Sequence, residues 1–275
     1  MKSMRRFGVH AFVVKVSSHP RTVALTVLCS CSVMSAGAQP QCVPSAHRGN
    51  GAQAYENTIA AFRAAEGVPY VEIDIRVSAD NHLVLFHDRR LSFENSRVGK
   101  ELLGKPIASL SHEELAGIRL PDGSRIPKLR AALRSVGERK VTFMLDIKSS
   151  SPRDFTRVMA EVREVNAEPR VVVQCQTETI LRFMKSNFPN VALLARAQDP
   201  SEVNALLQYA PKYVQVDSEW NLSSVIPGIH RGGALVVVKT LSPGTDRPEV
   251  WRELCGAGVD IVLTDRPKDF LAAMR

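Results

Sequence analysis

The chain has 275 residues, 44% of them hydrophobic and 23% charged, with a formal net charge of +8. That length suits one large domain or two small ones of ordinary soluble composition, and no apolar run reaches the roughly 18 residues of a permanent membrane span. The positive balance does not mark a nucleic-acid partner, because no basic stripe or aromatic–basic alternation accompanies it.

Residues 1–38 differ from the rest. They hold Lys2, Arg5, Arg6, Lys15 and Arg21 and no acid. A small and apolar run from Val23 to Ala36 follows, and Ala36-Gly37-Ala38 fits a small-residue cleavage signal. The pattern predicts a secretory signal peptide over residues 1–38 and an exported domain over 39–275, periplasmic or secreted. The basic stretch before the apolar run is long, which allows Met4 or a later residue as an alternative start. Leu28-Cys29-Ser30-Cys31 loosely resembles a lipidation box at Cys31. Losing five basic groups takes the charge from +8 to +3, so the basic balance is partly a targeting effect. Cys42, Cys175 and Cys255 are left, without a C-x-x-C pair, which argues against structural zinc, while export permits a disulfide.

From residue 39 onward, β-rich runs alternate with helical patterns. Val43–Ala46 is the first predicted strand. A helix over Glu56–Glu66 follows, with Ile59, Phe62 and Ala65 on one face and Gly67 as its stop. Tyr70–Ile75 is the second strand. Leu83–Phe86 comes after only a polar turn, Ser78-Ala79-Asp80-Asn81. That link is too short for a parallel crossover, so this strand should pair antiparallel, as a hairpin outside the main sheet. Arg89 to Pro127 then reads as an insertion above the sheet, with one short helix capped by Ser111 and Glu114. Val141–Ile147 resumes the alternation. Ser151-Pro152 opens a helix with a cap and a first-turn proline, and Phe155, Val158, Met159 and Val162 form its apolar stripe. Arg170–Cys175 is followed by a helix opened by Thr177, with Ile180, Leu181, Phe183 and Met184 inward. Val191–Ala195, Tyr213–Asp217, Ala234–Val238 and Asp260–Leu263 complete the strands. Without the hairpin strand there are eight, separated by helices. That argues for a parallel sheet closed on itself, and the 237 residues after position 38 suit a (β/α)₈ barrel of about 250.

The chemistry lies where these strands end. Glu72 and Asp74 stand two apart on one strand, so both point to one side, opposite Val71, Ile73 and Ile75. Two unpaired carboxylates inside a barrel would be costly. Asp146 and Lys148 repeat the spacing on the next barrel strand. Three oxygen ligands without sulfur or imidazole favour one hard divalent cation, Mg²⁺ or Ca²⁺; the other reading is that Lys148 neutralises the acids by salt bridges. His47 and His87 each follow directly after a strand, where they can serve as general base and general acid, and Arg48 offers a fork for a phosphate. The other five histidines have no comparable context.

Taken in order, Ala46-His47-Arg48-Gly49, Glu56-Asn57-Thr58 with Ala61-Phe62, Glu72-Ile73-Asp74, His87-Asp88, Ile126-Pro127-Lys128-Leu129, Asp146-Ile147-Lys148 and Gly258-Val259-Asp260 with Thr264-Asp265-Arg266-Pro267 resemble the glycerophosphodiester phosphodiesterase family. The resemblance implies acid–base roles for His47 and His87, and metal binding by Glu72, Asp74 and Asp146. It implies phosphodiester contact by Arg48 and Lys148, and supporting hydrogen bonds from Glu56 and Asn57. It also implies a small-molecule phosphodiester substrate, hydrolysed to an alcohol and glycerol 3-phosphate, and a helical insertion after the hairpin.

The chain departs from that family in several places. The third acid is often Glu and is here Asp146. Tyr55 stands where a proline usually precedes the Glu-Asn motif. Cys175-Gln176 replaces a common Ser-Phe, and Lys239-Thr240 replaces Trp-Thr. Gln176 and Lys239 therefore predict a more polar pocket and an alcohol moiety more polar or anionic than glycerol; the alternative for Lys239 is a side chain reaching solvent. The topology predicts Cys42 and Cys255 at the bottom of adjacent strands, near enough for a disulfide. Two rival functions stand beside the main one. A lysophospholipase D acting on lipids would want a more apolar insertion than one carrying Lys100, Lys105, Arg119 and Arg125. A silent phosphodiester-binding protein would be expected to lack a histidine or an acid.

Overall fold

A computed structural model describes residues 42–136 and 140–275. The expected signal peptide lies outside the described residues. Among the described residues, nine strands and nine α-helices follow one another in near-strict alternation. The strands are β1 (Val43–Ala46), β2 (Tyr70–Val77), β3 (Leu83–Leu85), β4 (Thr142–Ile147), β5 (Val171–Cys175), β6 (Ala192–Arg196), β7 (Tyr213–Val216), β8 (Leu235–Lys239) and β9 (Ile261–Thr264). The helices are α1 (Ile59–Ala64), α2 (His112–Gly117), α3 (Leu129–Ser135), α4 (Pro152–Glu164), α5 (Glu178–Asn187), α6 (Val203–Leu207), α7 (Leu222–Arg231), α8 (Pro248–Gly256) and α9 (Pro267–Ala273).

Strand order runs β1-β9-β8-β7-β6-β5-β4-β2, and a further β1–β2 pairing closes the ring. All eight pairings around it are parallel. This is the (β/α)₈ barrel that the alternation predicted. β3 stays outside the ring, antiparallel to the end of β2 with Ile75 opposite Leu85, as the short turn before it required.

Side-chain alternation along the strands builds two cores. On β2, Val71, Ile73 and Ile75 face outward into the main apolar layer, the same layer that takes up Phe155, Val158, Met159 and Val162 of α4 and Leu181 and Met184 of α5. Each such side chain is worth about 1.5–3 kcal/mol when removed from water, which is why the amphipathic helices dock here. The inward set forms a second cluster of Met144, Val172, Leu194, Tyr213, Val237 and Ile261, with Tyr70 against it. It plugs the lower barrel, and the Tyr70 and Tyr213 hydroxyls satisfy each other at 3.2 Å. Two residues further along β4 to β8, the inward positions turn polar, at Asp146, Gln174, Arg196, Gln215 and Lys239, while β9 keeps Leu263 and turns polar only at Asp265. The site is thus the upper continuation of one packed column per strand.

Cys42 and Cys255 form the expected disulfide, Cα atoms 5.5 Å apart, and tie the start of β1 to the segment before β9. Cys175 is buried and free. The insertion after β3 packs a small core of its own from Phe86, Leu91, Ile107, Leu110, Leu115, Ile118, Leu120 and Ile126. Ser111 and Glu114 make the reciprocal capping box at α2.

Three local expectations change. The helix expected over Glu56–Glu66 shrinks to α1, because Asn57 takes φ 55° and cannot lie in a right-handed helix. Thr58 caps α1 instead, its hydroxyl accepting from the Ala61 amide at 3.1 Å. Ser151 stands at the α4 cap position, but its side chain makes no capping bond. Phe183 is only partly buried on its helix, with its ring edge-on to Phe188.

Candidate active site

The loop after β1 shapes the site. His47 is anchored by its amide to the Thr264 carbonyl. Arg48 then takes φ 52°, and Gly49 follows at φ 93°, where a Cβ would stand 2.7 Å from that of Ala61. Only glycine fits that approach. The turn aims the Arg48 amide at Glu72 Oε2, 3.0 Å away. The Arg48 side chain donates from Nη1 to Glu56 Oε2 at 2.6 Å, while Nε lies 3.2 Å from Asp74 Oδ2. Glu56 thus holds the guanidinium rather than a metal ligand.

Asn57 clasps Asp74 from both ends. Its Nδ2 donates to Asp74 Oδ2 at 2.8 Å and its Oδ1 accepts from the Asp74 amide at 3.0 Å. These two hydrogen bonds offset the left-handed backbone, which costs on the order of 1–3 kcal/mol.

Parallel register puts Asp74 beside Asp146 across β2 and β4. Glu72, Asp74 and Asp146 are all buried, and one oxygen from each lies within 4.8 Å of the others. Lys148 Nζ reaches Asp74 Oδ1 at 2.8 Å and Asp146 Oδ2 at 2.6 Å. Lysine therefore neutralises part of the cluster, as the salt-bridge reading expected. It does not reach Glu72, which forms no ion pair among the described residues and only accepts the Arg48 amide. Burial, then Asp74 and Asp146, push the Glu72 carboxyl well above its ordinary range. Burial would raise Asp74 too, but Lys148, Arg48 and the Asn57 bond outweigh it and hold that carboxyl low. Lys148 is shifted upward: its two aspartate partners outweigh the effect of burial. Asp74 Oδ1 is buried with no aligned hydrogen bond. An all-oxygen set that holds one carboxylate, Glu72, without an ion-pair partner fits a hard divalent cation.

His47 and His87 stand at this same end of the barrel, each backed by a carboxylate. His47 Nδ1 lies 2.7 Å from Asp265 Oδ1, and His87 Nδ1 lies 2.8 Å from Asp88 Oδ1. Asp88 is held in turn by Asn95 Nδ2 at 2.7 Å. A carboxylate on Nδ1 favours the Nδ1–H tautomer and leaves Nε2 as the free nitrogen. Behind Asp265 sits buried Asp246, which accepts from Thr240, Thr264 and Trp251 and from the Asp265 amide at 3.0 Å. Sequence spacing alone assigns no role to Asp88, Asp265 or Asp246. Asp265 was within reach of it, being the next inward position after Ile261 and Leu263 on β9.

Gln176 and Lys239 line the cleft at the mouth, with His87, Asp146, Lys148 and Arg196, around a space of about 540 Å³. Gln176 Nε2 donates to Asp146 Oδ1 at 3.0 Å, and its Oε1 accepts from Arg196 Nη1 at 3.1 Å. Gln176 therefore orients an acid as well as facing the cleft. Lys239 is partly buried rather than extended into solvent. Burial and nearby Arg196 depress its proton affinity.

Three buried oxygen ligands, two lysine and arginine cations and two carboxylate-backed histidines, gathered at the C-terminal end of a closed barrel, are the equipment of a hydrolytic barrel enzyme. Sequence comparison gives that class a family. Residues 47–269 match the glycerophosphoryl diester phosphodiesterase family, and the chain belongs to it. A glycerophosphodiester phosphodiesterase of Caldanaerobacter subterraneus subsp. tengcongensis is 28% identical over 247 residues, 84% of this chain and 96% of that one. A crystal structure of a glycerophosphoryl diester phosphodiesterase from Parabacteroides distasonis superposes with a TM-score of 0.72 at 27% identity, covering 86% of this chain and 87% of that one. An Oleispira antarctica phosphodiesterase in complex with the product sn-glycerol-3-phosphate shares the fold, with a TM-score of 0.72 at 20% identity over 84% of this chain and 96% of that one.

Proposed function

We propose that the chain is an exported phosphodiesterase that hydrolyses glycerophosphodiesters to an alcohol and glycerol 3-phosphate with the help of one divalent cation, Mg²⁺ or Ca²⁺. The observation that carries this reading is the buried Glu72–Asp74–Asp146 cluster beside two histidines whose Nδ1 atoms are held by Asp265 and Asp88. Family membership supports the reaction class, and the product bound by the Oleispira antarctica relative supports the glycerol 3-phosphate half. Export rests on the composition of residues 1–38.

With a divalent cation held by Glu72, Asp74 and Asp146, a phosphoryl oxygen would be polarised and its developing charge reduced. Lys148 stabilises the same charge electrostatically, and Arg48 does so from the other side of Asp74. One histidine takes a proton from the nucleophile through Nε2. The other delivers a proton to the leaving alkoxide as the P–O bond breaks. The nucleophile is water, or a neighbouring substrate hydroxyl that first closes a cyclic phosphate which water then opens. Either way one water is consumed, and one monoester and one alcohol appear. Glu56 and Asn57 keep Arg48 and Asp74 in place.

The test is release of glycerol 3-phosphate from glycerophosphoglycerol by purified protein, first in EDTA and then with Mg²⁺ or Ca²⁺ restored. Metal-restored release supports the reading. Release that is indifferent to EDTA overturns the metal role, and no release by folded protein with either ion overturns the activity.

A further inference from the structure

The mouth of the barrel carries two cations that the hydrolysis above does not use. Arg196 ends β6 and Lys239 ends β8. Both are inward positions, two residues beyond Leu194 and Val237 of the barrel plug. They line one cleft together with His87, Asp146 and Gln176, and they also line a smaller space of about 90 Å³ behind it, with Asp217 and Trp220. On the opposite wall, Arg48 and Lys148 have carboxylate partners. Among the described residues, Arg196 and Lys239 have none. The Arg196 side chain donates to the neutral Gln176 amide, at 3.1 Å, and among the described residues no hydrogen bond or ion pair engages the Lys239 side chain. The one carboxylate beside them in the smaller space, Asp217, accepts the Glu219 amide instead, at 3.0 Å. Two half-buried like charges with no carboxylate in direct contact are unfavourable in the free protein, and an anion between them offsets that cost. The Gln176 amide bridges Asp146 to Arg196, so this pair lies one side chain away from the acid cluster.

We propose that Arg196 and Lys239 form a second anion subsite, and that the preferred substrates are phosphodiesters whose alcohol carries its own carboxylate or phosphate. This rests on the phosphodiesterase reading and names the substrate class of that same site. The phosphodiester lies at the Glu72–Asp74–Asp146 cluster, and the added charge on the leaving alcohol lies between the guanidinium and the ammonium.

Two arms test it. In turnover, glycerophosphoglycerol is compared with the diester in which one terminal hydroxymethyl group is replaced by a carboxylate. Wild type is expected to favour the carboxylate in kcat/KM by roughly tenfold or more, the scale of one charge-assisted hydrogen bond. That ratio is expected to collapse toward one in Lys239→Met and in Arg196→Gln, and to return in Lys239→Arg, which also guards against a folding defect. A phosphate-bearing alcohol in the same series separates carboxylate from phosphate recognition. In binding, calorimetry compares 3-phosphoglycerate with glycerol 3-phosphate, which differ by that same carboxylate and need no turnover. Tighter binding of 3-phosphoglycerate by wild type, lost in Lys239→Met, supports the subsite. Equal binding, or a difference that survives both neutral variants, overturns it. If no diester is hydrolysed, the phosphodiesterase reading falls while the binding arm still decides the subsite.

Discussion

The two ends of this barrel are built from the same strands under opposite rules. At the floor, inward positions are apolar, the Tyr70 and Tyr213 hydroxyls satisfy each other, and a disulfide ties the residue before β1 to the last turn of α8. At the mouth, the next inward positions on most strands are acids, cations and amides, with buried charges crowded together and Arg48 and Asn57 held at positive φ. The floor spends its residues on stability, and the mouth tolerates unfavourable contacts that chemistry can use. Changes at the mouth should therefore alter activity and leave stability near wild type, and changes at the floor should do the reverse.

The largest effect is expected for His47→Ala. Loss of a positioned acid–base group should lower kcat by about 10²–10⁴-fold, with a urea midpoint close to wild type. Next comes Asp265→Asn, which keeps the shape but removes the charge behind His47. A fall in kcat on the order of 10²-fold, with KM changed far less, is the expected steady-state result; an equal rise in KM would mean that Asp265 binds substrate instead.

The floor supplies the converse. Replacing both Cys42→Ser and Cys255→Ser opens a link between residues 213 apart in sequence, and should lower unfolding free energy by about 2–4 kcal/mol. Turnover at 25 °C should stay within about twofold of wild type, because that change lies outside the acid–base and electrostatic machinery. A large loss of kcat in this variant would break the division between the two ends.

A smaller effect reports on the acid cluster without any catalysis. A divalent ion at one hundred times its dissociation constant should raise stability by about 2.7 kcal/mol, since it binds the folded chain only. Thermal unfolding with and without Mg²⁺ or Ca²⁺ measures this. The same experiment on Glu72→Gln should show most of the increment gone; an undiminished shift would place the ion elsewhere.

The smallest effect comes from Cys175, outside both ends. Burial pushes its thiol up to about 12 from 9.0. The unfolded thiol ionises first as pH rises, so this residue contributes stability that is whole below about pH 9 and is lost progressively toward pH 12. Urea unfolding between pH 8 and 10.5 should therefore show a shallower alkaline decline in Cys175→Ala than in wild type, whatever the cost of the cavity itself.

How far the sequence reached follows the range of each interaction. All eight barrel strands, the hairpin strand and the α2 capping box were legible, because strand alternation, turn length and capping are local. So was the Glu72–Asp74 pair, whose i, i+2 spacing forces both carboxylates inward. The topology also foretold Cys42–Cys255. The N-terminal limit of α1 was not legible, because Asn57 leaves the helix to clasp Asp74, a contact made only after β2 is in place. Nor was the role of Asp265, 218 residues from His47, or of Arg196, which shares a cleft with Lys239 across the intervening strand β7. Spacing shows which way a side chain points; only the folded ring shows what it meets.

The most direct measurement is the rate of glycerol 3-phosphate release from glycerophosphoglycerol by wild type and by folded His47→Ala, side by side in Mg²⁺ and in Ca²⁺. The account predicts release by wild type with at least one of the two ions, and a loss of two orders of magnitude or more in the variant. Equal release by the two proteins, or none by folded wild type under either ion, would contradict it.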